Sequence, residues 1–109
     1  MARDALGEFE HRVLLAILRL EAESYSVPIV LELEEKTGKP VAPAAVYIAL
    51  RRLEKRGLVS SRLVEAEKEN GGRERRYFRI EAEGLERLKE SRRALLDLWE
   101  GLAPQLDKR

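Results

Sequence analysis

Apolar residues in the first part of the chain recur at the three- and four-residue spacing of amphipathic helices. The first such stripe consists of Phe9, Val13, Ala16, Ile17 and Leu20. Leu14 and Leu18 form a second apolar stripe beside it. The pattern predicts a first helix with two apolar sides, one facing its own core and the other facing a long helix of a second subunit. A central helix of a monomeric core would show the same pattern.

Two further helices are predicted between residues 26 and 57. Ser26 is a suitable N-cap for the second helix, which Gly38 and Pro40 then end. The third helix is predicted to begin near Pro43, a residue that suits the first helical turn, and to stop at Gly57. The turn between these helices is therefore short.

After Leu58 the apolar positions change from helical spacing to alternation, which is typical of a strand. This strand covers residues 58–66, and residues 75–80 form the return strand. Between them, Asn70, Gly71 and Gly72 accept the positive φ angles of a tight hairpin. Three helices followed by a hairpin predict a mainly α fold with a small β-hairpin (α+β), arranged as a winged helix-turn-helix.

The last helix is predicted from Glu81 or Glu83 to beyond Trp99. Its apolar residues follow alternating steps of three and four, with Arg92 as the polar point in a series that otherwise contains Leu85, Leu88, Leu95, Trp99 and Leu102. This seam is roughly 26 Å long at 1.5 Å per residue, too long for a small winged unit to cover by itself. We expect residues 1–80 to form the winged unit and residues 81–109 a C-terminal dimerisation helix.

The charges are distributed unevenly along the chain. In total, 21 Lys and Arg face 20 Asp and Glu, but residues 51–79 alone contain ten basic and five acidic side chains. The third helix and the hairpin therefore form a basic face within a protein of net charge +1. A basic face of this kind suits the phosphates of double-stranded DNA.

Composition excludes several other classes of function. With 109 residues the chain is one domain. It has no cysteine, and its single histidine, His11, lacks the partners of a catalytic or metal site. We therefore expect no enzyme, metal or cofactor. No apolar run approaches the roughly 20 residues of a membrane helix, so a cytoplasmic protein without membrane contact is expected.

The third helix has the composition of a helix that enters the major groove. Ala44 and Ala45 would let the backbone approach the bases, and Tyr47 could donate its hydroxyl to a phosphate. Half-buried packing of Tyr47, and a solvated basic face with Glu54 as a local partner, are the simpler alternatives. The expected DNA-contacting residues of this helix are Ala44, Ala45, Tyr47, Ile48, Arg51, Arg52 and Lys55.

The hairpin is flanked by Lys68, Arg73, Arg75 and Arg76. A basic hairpin of this size can lie along a phosphate backbone or enter a minor groove, and Arg73, Arg75 and Arg76 are its expected DNA contacts. Charged hairpins also protect sheet edges from aggregation. The basic helix that precedes the hairpin favours the DNA-binding interpretation.

Trp99 is the only tryptophan, and the sequence leaves two roles open for it. It could be a large residue of the core or interface. It could also be a stacking surface, together with Leu95, for a flat aromatic ligand between subunits.

The chain resembles the PadR family of transcriptional regulators, in the short form with a single C-terminal helix. The resemblance rests on Phe9-Glu10 and residues 13–18 in the first helix, Tyr25, Ile29 and Glu32-Leu33 in the second, Val46-Tyr47, Leu50 and Leu53-Glu54 in the third, Gly57-Leu58-Val59 in the turn, and Gly72-Arg73 with Arg76-Tyr77-Phe78 in the hairpin. Helix 3 departs from the family pattern because Val41-Ala42-Pro43 offers no side-chain cap.

The resemblance implies a homodimeric repressor that binds an inverted-repeat operator and is released by a small molecule. It implies that Tyr47 approaches the DNA backbone, that Arg73, Arg75 and Arg76 contact flanking DNA, and that a small aromatic effector stacks on Trp99. It also implies that the terminal helix pairs with helix 1 of the partner. The expected dimer-interface residues are Phe9, Leu14, Leu85, Leu88, Arg92, Leu95, Trp99 and Leu102. The alternative is a winged-helix module whose basic face binds an acidic protein.

Overall fold

The computed structural model describes residues 5–65 and 74–106. Arg73 and the tip of the hairpin, both singled out above, lie outside these residues. The elements run in the order α1 (Glu8–Arg19), β1 (Glu23–Ser24), α2 (Ser26–Thr37), α3 (Pro43–Lys55), β2 (Val59–Val64), β3 (Arg75–Ile80), α4 (Ala82–Trp99) and α5 (Ala103–Leu106). The predicted fold class, mainly helical with a small antiparallel sheet, is confirmed.

The sheet has three antiparallel strands in the order β1-β3-β2. Phe78 in the central strand pairs with Ser24 on one side and with Ser61 on the other. The sequence did not predict β1, which has only two residues and follows two non-glycine residues of positive φ, Glu21 and Ala22. The chain therefore turns sharply after α1 and adds a third strand to the hairpin.

The core lies between α1, α2, α3 and the inner face of the sheet. Its largest fully buried side chains include Phe78, Leu14, Ile17 and Leu50. The burial of Leu14 in its own subunit corrects the expectation that it faces a second subunit. The exposed apolar residues of α1 are instead Leu15 and Leu18, because neighbouring elements cover the side of the helix that carries Leu14.

The ends of α2 and α3 follow the predicted signals with one exception. Gly38 adopts the left-handed conformation with φ of 70° after α2, and Pro43 opens α3. However, Ser26 is the first residue of α2, and the N-cap position belongs to Tyr25 without a side-chain cap. The N-cap of α3, Ala42, also lacks a side-chain hydrogen bond, as the sequence predicted.

Only the first half of α4 is packed against the rest of the chain. Leu88 is 5% exposed and belongs to the core, which corrects its assignment to the dimer interface. The side chains from Arg92 to Trp99 are all exposed. The helix also ends earlier than predicted, at Trp99, because Gly101 adopts a φ of 76° and redirects the chain into α5. Leu102 therefore lies after the helix and not within it.

The start of α4 is fixed against the end of the preceding unit. Glu81 donates its backbone N–H to the Leu58 carbonyl at 3.0 Å. A Cβ atom added at Gly84 would lie 2.3 Å from the same carbonyl oxygen, so only glycine allows this approach. Among the described helices, none has the length and apolar character needed to cross a membrane.

Candidate nucleic-acid interface

The outward face of α3 collects all seven residues that the sequence predicted for this helix. Its buried residues are Val46, Ala49, Leu50 and Leu53, which anchor the opposite side in the core. At 100° per residue the outward residues span one continuous arc. They are all exposed, and they are Ala44, Ala45, Tyr47, Ile48, Arg51, Arg52 and Lys55. The arc begins with small side chains and ends with cations.

Tyr47 is both packed against the core and accessible from outside. Its ring meets the buried ring of Phe78 edge to face, with the centroids 6.3 Å apart and the planes at 82°. The side chain is nevertheless 44% exposed. Packing against Phe78 thus holds the ring in place while leaving much of the residue accessible.

Arg75 and Arg76 are neighbours in β3 but lie on opposite faces of the sheet, because side chains alternate along a strand. Arg76 shares the face of Phe78, and its Nη1 donates to the Ser61 Oγ at 3.0 Å. Arg75 lies on the other face, where its guanidinium carbon is 4.5 Å from the centroid of the Tyr25 ring. The two arginines therefore present their charges in different directions.

A row of stacked side chains covers the outer face of the sheet. The rings of Tyr25 and Tyr77 are 5.3 Å apart, and the Arg62 guanidinium lies 5.2 Å from the centroid of the Tyr77 ring. Arg62 also donates two hydrogen bonds to the Glu23 carboxylate, at 3.0 and 3.1 Å, and these lower the pKa of Glu23. The sequence did not predict this row because Glu23 reaches Arg62 only through the unexpected strand β1.

A second polar chain connects α3 to the hairpin. The Glu54 carboxylate accepts a hydrogen bond from Ser61 and pairs with the Arg51 guanidinium at 3.1 Å. Since Ser61 also accepts from Arg76, four side chains join the basic face of α3 to both strands. The sequence identified Glu54 only as a local partner of the helix cations.

A groove of about 980 Å³ separates α1 from α4. His11 and Ser91 meet in it, with the Nδ1 and Oγ atoms 2.6 Å apart, and burial lowers the pKa of His11. Its apolar lining includes Leu15 on α1 and Leu95 on α4. Among the described residues, no group of acidic residues and histidines is arranged to hold a metal ion.

The outer half of α4 carries a broad apolar face. Leu95, Leu96, Leu98 and Trp99 are each at least half exposed, and Leu85 and Leu102 are exposed to a smaller extent. Trp99, at the end of the helix, is 52% exposed in the single chain. Of the expected interface residues, only Leu14 and Leu88 are buried in the subunit's own core, while Phe9 is partly buried.

A family model and several solved structures match the chain. Residues 14–90 match the model of the family described as the transcriptional regulator PadR-like family. No curated protein matches the chain.

Solved structures of transcriptional regulators are similar to the chain over most of its length. A PadR family transcriptional regulator from Eggerthella lenta is 28% identical, with a TM-score of 0.69 over 93% of this chain and 89% of that one. A transcriptional regulator from Clostridium thermocellum is 27% identical, with a TM-score of 0.67 over 91% and 92%. A PadR-like regulator from Bacillus cereus, 23% identical with a TM-score of 0.72 over 93% of each chain, shares the fold.

Proposed function

The chain belongs to the PadR-like family of transcriptional regulators, and we propose that it represses transcription by binding double-stranded DNA as a homodimer. The observation that carries this proposal is the continuous exposed arc on α3, in which two alanines precede three cations. A helix of this kind fits the major groove, where small residues allow close approach and cations meet phosphates.

In the proposed complex, residues 1–80 bind DNA. Ala44, Ala45 and Ile48 face the base edges, and Tyr47 and the cations of α3 face the backbone. Arg75 lies on the exposed side of the sheet and contacts flanking phosphates, and Arg73 of the hairpin has the same role. Arg76 contributes from the face nearer to α3.

Residues 81–109 join the two subunits in this proposal. The outer half of α4 exposes a row of large apolar side chains, which in water favours association with a second apolar surface. Leu85, Arg92, Leu95, Trp99 and Leu102 would meet helix 1 of the partner, near Phe9, Leu15 and Leu18. Two copies of α3 would then lie about 34 Å apart and read an inverted repeat.

An aromatic effector would act at this interface. Trp99 offers an exposed flat ring beside Leu95, and a planar ligand stacked on it would favour one angle between the paired helices. The ligand shifts the equilibrium away from the DNA-binding arrangement only to the extent that it binds the other arrangement more tightly. We place the regulator in the cytoplasm, where its DNA target lies.

The test is anisotropy of a labelled duplex that carries the protein's own upstream region, with a scrambled duplex as control. We expect strong salt dependence, a preference for the native duplex and two chains per site. The slope of log affinity against log salt gives the number of phosphates neutralised. No binding to either duplex at low salt would reject the proposal and indicate an acidic protein as the partner of the basic face.

A further inference from the structure

Glu54 occupies an unusual position within the basic face. It is the one acidic residue of α3, and its side chain is 29% exposed. One carboxylate oxygen pairs with Arg51 of the same helix at 3.1 Å, and the other accepts from Ser61 of β2. Its two oxygens therefore contact one group on α3 and one on β2.

Ser61 extends this arrangement to the hairpin, because its hydroxyl can donate one hydrogen bond and accept another at the same time. Its hydroxyl has one donor, which goes to Glu54, and lone pairs that accept from Arg76 Nη1 at 3.0 Å. The Glu54 carboxylate thus orients Arg51 on α3 directly. It orients Arg76 on β3 through the Ser61 hydroxyl. Register fixes the geometry, because Ser61 and Arg76 lie on the same face of adjacent strands.

We infer that Glu54 is a specificity-determining residue: its carboxylate holds Arg51 and, through Ser61, Arg76, so that they meet only a duplex whose backbone follows the right path. This inference rests on the proposed DNA binding. A cation on a long, unrestrained side chain can reach a phosphate on almost any duplex. A cation whose side chain is restrained by hydrogen bonds contacts a phosphate only where the DNA backbone matches its position. The partly buried negative charge of Glu54 also repels phosphates that approach out of register.

Three variants test the inference in the anisotropy assay. Glu54→Gln removes the carboxylate charge and keeps the shape of the side chain. Ser61→Ala disconnects Arg76 from Glu54 without changing any charge. Glu86→Gln is the control, since it removes the same charge from an exposed pair with Lys89 on α4, at 3.3 Å.

We expect Glu54→Gln to bind the scrambled duplex more tightly, by roughly two- to five-fold for each freed cation. The salt slope should become steeper by about one to two, and the preference for the native duplex should fall. Ser61→Ala should show a smaller loss of preference. Glu86→Gln should keep the wild-type preference.

The possible failures can be told apart. Wild-type protein that binds neither duplex rejects the proposed function and this inference with it. Wild-type protein that prefers its own duplex, together with Glu54→Gln that keeps the same preference, rejects the inference alone. Equal weakening of Glu54→Gln on both duplexes also rejects it, because the residue would then support the fold or the binding surface without controlling specificity.

Discussion

The guanidinium of Arg75 lies over the ring of Tyr25, with 4.5 Å between the guanidinium carbon and the ring centroid. Tyr25 immediately precedes α2, so this stack joins the base of the hairpin to the beginning of a different element. The positions of Tyr25 and Arg75 in the sequence do not predict this contact. The contact orients one cation of the proposed DNA surface and gives that orientation a test of its own.

Replacing Arg75 by Ala should weaken binding to native and scrambled duplexes by the same factor and reduce the salt slope by about one, because a phosphate contact carries no sequence information. Tyr25→Leu should weaken binding by roughly two- to five-fold with an unchanged slope, since the cation remains but loses a contact worth about 0.5–1 kcal/mol. Anisotropy at several salt concentrations measures both. A loss of sequence preference in Arg75→Ala would assign it to base recognition.

Replacing Leu95 by Glu should convert the proposed dimer into monomers. The change places a charge in the apolar face of α4, and we expect the dimer dissociation constant to rise by roughly 100-fold or more. Sedimentation equilibrium measures this constant, and the emission maximum of Trp99 should move to longer wavelength in parallel. Arg93→Glu is the matched control, because Arg93 lies on the opposite side of the helix. Equal effects of both variants would argue against the seam.

Replacing Gly84 by Ala should destabilise the fold by about 1–3 kcal/mol, although this exchange in a helix ordinarily stabilises by up to about 1 kcal/mol. The added Cβ would lie 2.3 Å from the Leu58 carbonyl oxygen and 3.0 Å from Cγ1 of Ile80. Urea unfolding measures the change. Ala94→Gly, in the exposed half of α4, reports the ordinary cost of glycine in the same helix. A more stable Gly84→Ala variant would show that α4 can move away from Leu58.

The single histidine should make stability depend on pH in a defined direction. Burial lowers the pKa of His11 in the folded chain below its unfolded value of about 6.5, so the unfolded chain binds the proton more readily. The unfolding free energy should therefore fall as the pH decreases from about 6.5 through the folded pKa, and this component is constant above pH 6.5.

His11→Gln lacks this titration and serves as the reference for the carboxylates that also titrate in acid. Urea unfolding at pH 7.5 and 5.5 should show a larger loss for the wild-type protein than for the variant. His11 contacts Ser91 within a groove that is also lined by Glu8, Arg12, Arg87 and Glu90. Equal losses would show that these neighbours compensate for the proton.

Sequence periodicity was sufficient to predict the elements whose limits are determined by local signals. Pro43 and Gly57 limit α3, and residues 75–80 form the return strand as predicted. The outward residues of α3 followed from the same period. In each case a residue's own spacing or backbone preference determines the outcome.

The features that the sequence did not predict depend on which element packs against which side of a helix or strand. The spacing of Leu14 and Leu88 shows that both are apolar, but not that the subunit's own core covers them. Strand β1 has two residues and no pattern of its own. The link from Glu54 to Arg76 requires the register of β2 against β3, which a single sequence does not state.

The close approach of Gly84 to the Leu58 carbonyl leaves no flexible linker between the three-stranded sheet and α4. The 18 residues of α4 form a rod about 27 Å long, and the first half of this rod is also packed against the core through Leu88. A displacement imposed on the exposed half of α4 would therefore be passed on to the packed core and not absorbed by a linker.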